Sequence, residues 1–552
     1  MSLPAFESQG TLFGSVGVVA GGLFEEGERY RLFAQKIWPV LAGCRPQLEQ
    51  CYCANNGRAG IEPVVLLGVL IFQFFERVPD RVAAELVKYH LGWKLALHLE
   101  LDAKGFHATT LVTFRQRLVE HGQAKLAFTA VLDALQSEGL VPKKGKQRLD
   151  STHVLGVVSR MSRLECLRET LRLALQELAP KLAESERPDC WGLLWERYVE
   201  NKLDFKSSEA VLRDKMRQAG ADSQALLTWL KEKPAPVREG RSATLLQRVF
   251  EEQFETVCEG SPEPFKAQCS TAVKNPHEPE AQWSAKGLGA ARKEWIGYKV
   301  QVAESIGSVP ASENQPQQNF LTSIVTQDAI ESDAAGLAVV LEEQCEAGLE
   351  PPRELYVDTA YVSAEELAHA AAEGREVIGP ARASTTTAKG FRSEEFEVRI
   401  AERKAICPAG KESTQCSRIE EKSSGKSSYR FEWSRHCHGC PLRDKCVGKG
   451  QRHRTLSLGE HHDQLQHRRR EQNTPEFRKR MHQRNAIEGT QSELVRAHGM
   501  RRARYRGKAK VDLQNQLIGA ACNIKRWLRV LAAKAQCSTA ATAQPTPAIA
   551  AA

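Results

Sequence analysis

The chain reads as an α/β protein: a five-stranded mixed sheet with helices, preceded by an all-helical N-terminal domain and interrupted by a helical insertion and a Cys-rich insertion. Three observations predict this class. Ile296, Tyr298, Val300 and Val302 alternate with other residues, as a strand buried on one face requires. Four further strand-like runs, at 147–154, 320–326, 354–358 and 375–379, are joined in part by helical segments at 334–348 and 364–373, for which Asp333 and Ser363 are placed as caps. At 552 residues the chain is also too long for a single core, so several domains or large insertions are required.

Taken in order, residues 1–140 form the helical N-terminal domain. The run 61–75 is almost wholly apolar and predicts a central helix. Asp80 is placed to cap the next helix, Gly105 to Thr109 reads as a turn, and Thr109 or Thr110 can cap 111–121, which Gly122 stops. Short helices with tight turns, one carrying Arg115 and Arg117, suggest a helix-turn-helix-like reader of DNA. An all-helical packing domain would show the same pattern. The first core strand lies within 141–159. A helical insertion rich in Leu, Glu, Arg and Lys occupies 160–290, and the remaining core strands and helices 291–382. The Cys-rich insertion spans 383–480, and a further helix with a basic arm spans 481–530. Residues 531–552, mostly Ala, Thr, Pro and Gln, read as a disordered tail.

The strand order carries geometry. The first strand should run antiparallel to the second, and the second to the third. The fourth, reached by a helical crossover, should lie parallel beside the first. Asp150 and Asp358 then end neighbouring strands at one edge of the sheet, where a helix over 484–496 can deliver Glu488, with Gln491, Ser492 and Val495 on the same face and Gly499 as its stop. Three convergent carboxylates can hold two divalent cations, and hard oxygen donors suit Mg2+ or Mn2+. Any one of these acids alone reads equally as a surface residue or a cap.

The net charge is +9, and it is local: residues 501–530 hold nine basic and one acidic side chain. Such a stretch implies a polyanion partner, with a solvated helix face as the alternative. Arg501, Arg502, Arg504, Arg506, Lys508 and Lys510 are placed to grip phosphates, and Tyr505 to stack on an unpaired base. The N-terminus lacks the basic start and apolar run of a secretory signal, and the longest apolar stretch falls short of the roughly 20 residues of a membrane span. A cytoplasmic, nucleoid-associated protein with no membrane partner is expected. Five of the fifteen cysteines lie in 407–446. Cys437 and Cys440 form a C-x2-C half-site that Cys407 or Cys416 together with Cys446 would complete as a structural Zn2+ site. His436 and His438 leave the ligand set open, and reduced buried cysteines are the alternative.

Several stretches together resemble the DDE transposases of bacterial insertion sequences, over nearly the whole chain. They are Leu149-Asp-Ser-Thr-His153, Tyr356-Val-Asp-Thr-Ala-Tyr361, Ile487-Glu-Gly-Thr-Gln-Ser492, Arg501-Arg-Ala-Arg-Tyr-Arg-Gly507, the apolar helix from Glu62, and Trp93-Lys-Leu-Ala-Leu97. The resemblance implies a ribonuclease-H-like core in which Asp150, Asp358 and Glu488 bind two Mg2+ or Mn2+ ions. It implies cleavage at the terminal inverted repeats of an element, attack of the released 3′-hydroxyl on target DNA, and a homodimer on DNA. A metal-dependent nuclease of the same fold and a catalytically idle DNA-binding regulator are the alternatives. The family often places a tyrosine seven residues before the glutamate, an arginine four before it and a lysine seven after it. Here these positions are Met481, Arg484 and Val495, with Arg484 expected to contact DNA and Arg496, beside the last, as a substitute phosphate contact.

Overall fold

The computed structural model describes residues 3, 14–53, 60–202, 208–256, 262–267, 269–287, 289–307, 319–383, 390–420 and 427–542. Helix α1 (Pro63–Phe75) is apolar all round, and every residue but the last is buried, as expected of a helix inside a core. Glu62 caps it by accepting from the Val64 N–H, and Pro63 takes the first position, where a missing N–H costs nothing. α2 (Asp80–Tyr89) and α3 (Thr109–Glu120) pack against it. Their N-caps are Pro79 and Ala108, one residue earlier than the sequence suggests. Gly122, with φ 67°, follows α3 in the left-handed conformation that closes a helix. α4 (Leu126–Ser137) leads into strand β1 (Lys146–Leu155).

The insertion after β1 contains α5 (Arg163–Leu178), α6 (Glu209–Lys231) and α7 (Arg241–Gln253). α5 opens with a capping box between Ser162 and Glu165. Leu167, Leu171, Leu226 and Leu246 give the insertion a core of its own. It ends in a hairpin of β2 (Phe254–Thr256) and β3 (Pro262–Phe265).

The central sheet has six strands. Besides β1 they are β4 (Gln282–Lys286), β5 (Lys293–Ser305), β6 (Leu321–Asp328), β7 (Glu354–Tyr356) and β8 (Glu376–Ile378). Their order is β4-β5-β1-β7-β8, with β6 also paired to β5. β1 runs antiparallel to β5, and β5 to β6. β7 lies parallel beside β1, and β8 parallel beside β7. The strand beyond the five anticipated is β4. Its sequence, Gln-Trp-Ser-Ala-Lys, does not alternate, and its residues are only partly buried or exposed, so periodicity gives it away poorly.

α8 (Asp333–Glu346) crosses from β6 to β7, with Ser332 rather than Asp333 as its cap, and α9 (Ala364–Ala372), capped by Ser363, joins β7 to β8. Leu337, Val340 and Leu367 of these helices pack against Leu149, Val325 and Val377. Val300, Val302 and Ile324 join a second core with Leu70 and Phe72 of α1 and with Leu517 and Ile524 of the last helix. The N-terminal helices therefore share their core with the sheet.

The Cys-rich region builds two small sheets, β9 (Glu397–Arg399) with β10 (Lys404–Ile406), and β11 (Gln415–Glu420) with β12 (Ser427–Glu432) and β13 (Thr455–Gly459). Three helices follow: α10 (His462–Glu471), α11 (Pro475–Arg496) and α12 (Lys508–Thr542). The expected disorder from 531 onward is corrected up to 542, where α12 simply continues. Alanine is the strongest helix former, and it dominates that stretch. Residues 543–552 lie outside the described residues. No helix among the described residues is long and apolar enough to cross a membrane.

Candidate active site

The register of two parallel strands sets the site. Arg148 of β1 pairs with Tyr356 of β7, so Asp150 and Asp358 occupy matching positions two residues further along. The Asp150 Oδ1 accepts from the Ser151 N–H at 2.8 Å, and the Asp358 Oδ1 accepts from the Ala360 N–H at 2.7 Å, a local turn that fixes its carboxylate. The Asp150 side chain is only 13% exposed. Burial pushes its carboxyl above the ordinary aspartate range, Arg484 opposes the shift, and the neighbouring Asp358 charge adds to it. This edge of the sheet therefore concentrates negative charge that favours a cation.

α11 crosses the same edge and carries Glu488. One turn before it, the Arg484 Nη2 lies 2.9 Å from the Asp150 Oδ2, while its Nη1 lies 3.9 Å from the Glu488 Oε1. Arg484, expected on a DNA phosphate, instead places its guanidinium between two of the three acids. Glu488 itself is 73% exposed.

Sequence reading missed what holds α11 in place. Glu304 of β5 is fully buried, and the Arg148 Nε donates to it at 2.6 Å. The Thr490 Oγ1 donates to the same carboxylate at 2.7 Å, and Arg526 of α12 pairs with it at 2.5 Å. Arg148 also donates to the Gln483 carbonyl at 3.0 Å, and Gln491 to the Ser151 carbonyl at 3.2 Å. The available signal was a charge, Glu304, at the end of an otherwise apolar strand pattern. Beneath the site, the buried Tyr361 donates to the Gln301 side chain. Burial first, and then Asp333 and Asp150, push its phenol far up, so it stays protonated.

A second missed feature is basic. Lys286 and Lys293 are exposed and face each other across β4 and β5. Burial, Arg501 and these two lysines hold the His153 imidazole down at about 4, so it is neutral where it packs on Trp295. Like charges directly opposite one another destabilise a sheet, and a polyanion would offset that cost.

The arm after α11 is only partly turned to solvent. Its backbone adds to the end of β1 through Leu155 N–H to Arg501 O at 2.9 Å and Ala503 N–H to Leu155 O at 2.8 Å. Arg501 donates to the His153 carbonyl at 2.7 Å, Arg504 to the Val78 carbonyl at 3.0 Å, and Lys508 pairs with Asp328 at 2.9 Å. Tyr505, expected beneath a base, lies 4.5 Å from the Arg115 guanidinium instead. Arg115 is buried and bidentate on Asp80, at 2.5 and 3.0 Å, and Arg117 lies over the Tyr52 ring. Both arginines of α3 thus bind protein groups. Arg496, Arg502, Arg506 and Lys510 are exposed.

Of the five clustered cysteines, Cys407, Cys437, Cys440 and Cys446 border one small cavity, and Cys416 of β11 lies outside its lining. Among the described residues, the only His, Cys, Asp and Glu ligand atoms that come together within 4.8 Å in a group of three or more are those of Glu493, His498 and Cys522. Lys525 and Arg526 already neutralise Glu493, and the His498 Nδ1 donates to the Phe74 carbonyl, so that group ties α11 and α12 to α1. Asp150, Asp358 and Glu488 are spread more widely, with Arg484 between two of them.

Two family matches bear on this arrangement. The family described as "Transposase DDE domain" matches residues 406–528, which include Glu488, all five clustered cysteines and the arm. The family described as "Transposase domain (DUF772)" matches residues 20–117, the N-terminal helices. No curated protein matches the chain. Asp150 and Asp358 fall outside both matched spans. Transposase DDE domains are of the polynucleotidyl-transferase type, act on DNA and generally use divalent metal ions. Together the two matches indicate an insertion-sequence DDE transposase.

Proposed function

We propose that the chain cleaves DNA at the ends of its element and joins the freed 3′-end to target DNA, with Asp150, Asp358 and Glu488 as its catalytic carboxylates. The observation that carries this reading is the bracket formed by Arg484 between Asp150 and Glu488, at a sheet edge where Asp150 and Asp358 share a register position. The strand order around β1, antiparallel on one side and parallel on the other, supports a ribonuclease-H-like core.

The residues fit divalent ions on chemical grounds. They offer hard oxygen donors, and a positive charge from Arg484 already lies among them. Asp150, Asp358 and Glu488 would hold the ions, with Mg2+ or Mn2+ the suited metals. Bound there, such ions supply activation of the attacking oxygen and stabilisation of the leaving one. Asp150 and Asp358, on neighbouring strands, set the rigid side of the site. Glu488, exposed on α11, supplies the side open to DNA. Lys286 and Lys293, with the exposed Arg496, Arg502, Arg506 and Lys510, form the surface that holds the phosphates. Two element ends per transposition call for two chains on DNA.

The test is cleavage of terminal-repeat DNA in Mg2+ or Mn2+. Asp150→Ala should abolish cutting and leave DNA affinity within about a few-fold, because a metal ligand contributes to chemistry more than to phosphate grip. Cutting at the parent rate would remove Asp150 from the site. Transfer of a labelled 3′-end into plasmid separates a transposase from an enzyme that only hydrolyses.

A further inference from the structure

The Cys-rich region, β9 to β13, is a small body. Its apolar centre is built from Phe396, Phe431, Trp433 and a few aliphatic residues. A unit of this size buries too little surface to be stable without help, and small units of this kind are commonly held by a metal or by disulfides. Its cysteines are all free thiols.

Four of them converge. Cys407 opens a tight turn in which the Gly410 N–H donates to its carbonyl at 2.8 Å, and Gly410 takes the left-handed φ of 71° that the turn needs. Cys437 and Cys440 lie on a second turn, and Cys446 ends a short helical turn after it. All four border one cavity of about 20 Å³, room for a single water-sized or ion-sized occupant. The Arg454 N–H donates to the Cys437 Sγ at 3.4 Å, an arrangement that stabilises a thiolate. Burial raises the Cys446 thiol, Arg454 opposes this, and Cys437, Cys407 and Cys440 each raise it further, so the other three sulfurs lie within electrostatic reach of Cys446. No three of these sulfurs lie within 4.8 Å of one another, so binding would draw them inward by rotation about their side-chain bonds.

We propose that Cys407, Cys437, Cys440 and Cys446 bind one structural zinc ion as a tetrathiolate. Cys416, on β11 and outside the cavity, is not a ligand. Binding releases the thiol protons to solvent and involves no redox change. The site is remote from the carboxylates in chemistry, since soft sulfur donors select zinc where oxygen donors select magnesium. Its effect on the fold passes through α10. Gln466 donates to the Ser393 and Phe396 carbonyls, and Arg469 to the Arg382 carbonyl, bracing the helix that leads into α11.

The test is elemental analysis of the full chain, purified under reducing conditions from zinc-supplemented culture. About one zinc ion per chain is expected. Cys440→Ser should lose it, while Cys416→Ser and Asp150→Ala should retain it. Because Cys440→Ser could misfold, the parent protein carries a second arm: a thiol-blocking mercurial should release the zinc to a chromophoric chelator, and cobalt in its place should give the spectrum of a tetrahedral thiolate site. Zinc at background level in the parent, retention of zinc by Cys440→Ser, loss from Cys416→Ser equal to that from Cys440→Ser, or a mass deficit showing disulfides would each overturn the proposal.

Discussion

The acidic edge of the sheet and the basic arm were both conspicuous as charge in the sequence, yet they fold in opposite senses. At the edge, Asp150 and Asp358 converge with their charges incompletely answered, and Arg484, with Lys286 beside it, opposes the rise of the Asp150 carboxyl. Along the arm, Arg501 and Arg504 turn back to carbonyls of His153 and Val78, Lys508 to Asp328, and Tyr505 to Arg115. Charge in a sequence is a count without direction. Direction comes from which neighbours fold beside it, and an arm whose backbone extends β1 must place about half its side chains inward.

The comparison can be broken most sharply at the acids. Asp358→Ala should reduce cleavage by about a thousandfold, since loss of a metal ligand removes several kcal/mol of transition-state stabilisation, while gel-shift affinity stays nearly level. Equal losses in both assays would make the edge a DNA-binding surface like the arm. Next comes Glu304→Gln, which takes the carboxylate from the buried Arg148 and leaves Arg526 with Glu493 alone. A stability loss of about 3–5 kcal/mol is expected from urea unfolding, as for any buried pair that loses one member. A loss below about 1 kcal/mol would mean that α11 is held some other way.

The acidity of the edge is the next lever. The Asp150 carboxyl is raised above its ordinary 3.8, so its protonated form is favoured in the fold, and the associated stability is lost as pH rises through the shifted value. A bound cation reverses that loss. Affinity for Mn2+, followed by titration calorimetry, should therefore climb with pH over a range above 3.8, and the climb should vanish in Asp150→Asn. A flat profile in the parent would contradict the placement. The smallest effects belong to the arm. Arg506→Ala should lower the salt dependence of DNA binding by about one phosphate contact. Arg501→Ala should leave that slope unchanged and cost stability instead. Identical slopes for the two variants would erase the distinction between inward and outward arginines.

Much of this architecture could be read from residues in order. The alternation of β5, the Ser363 cap and the helix stop at Gly499, with φ 81°, follow local rules and formed as expected, whereas Asp150 lies inside β1 rather than at its end and Asp358 two residues past β7. What escaped reading depends on distant partners. β4 is defined by pairing with β5 and carries no periodic signature. Arg115 read as a candidate DNA contact, but it is bound to Asp80 of the neighbouring helix. The Glu304 anchor joins residues of β1, α11 and α12 that lie far apart in the chain. In 531–542 the helix propensity of alanine outweighs low hydrophobicity, and the last helix continues where disorder was expected.

The central claim is that three remote acids share one divalent-ion site. Its most direct test is to replace Mg2+ with Fe2+, generate hydroxyl radicals with ascorbate and peroxide, and map where the backbone is cut. Cuts near Asp150, Asp358 and Glu488 together, suppressed by excess Mg2+ and absent in Asp150→Ala, are predicted. Cuts confined to the neighbourhood of Glu493, His498 and Cys522, or to one of the three acids alone, would contradict it.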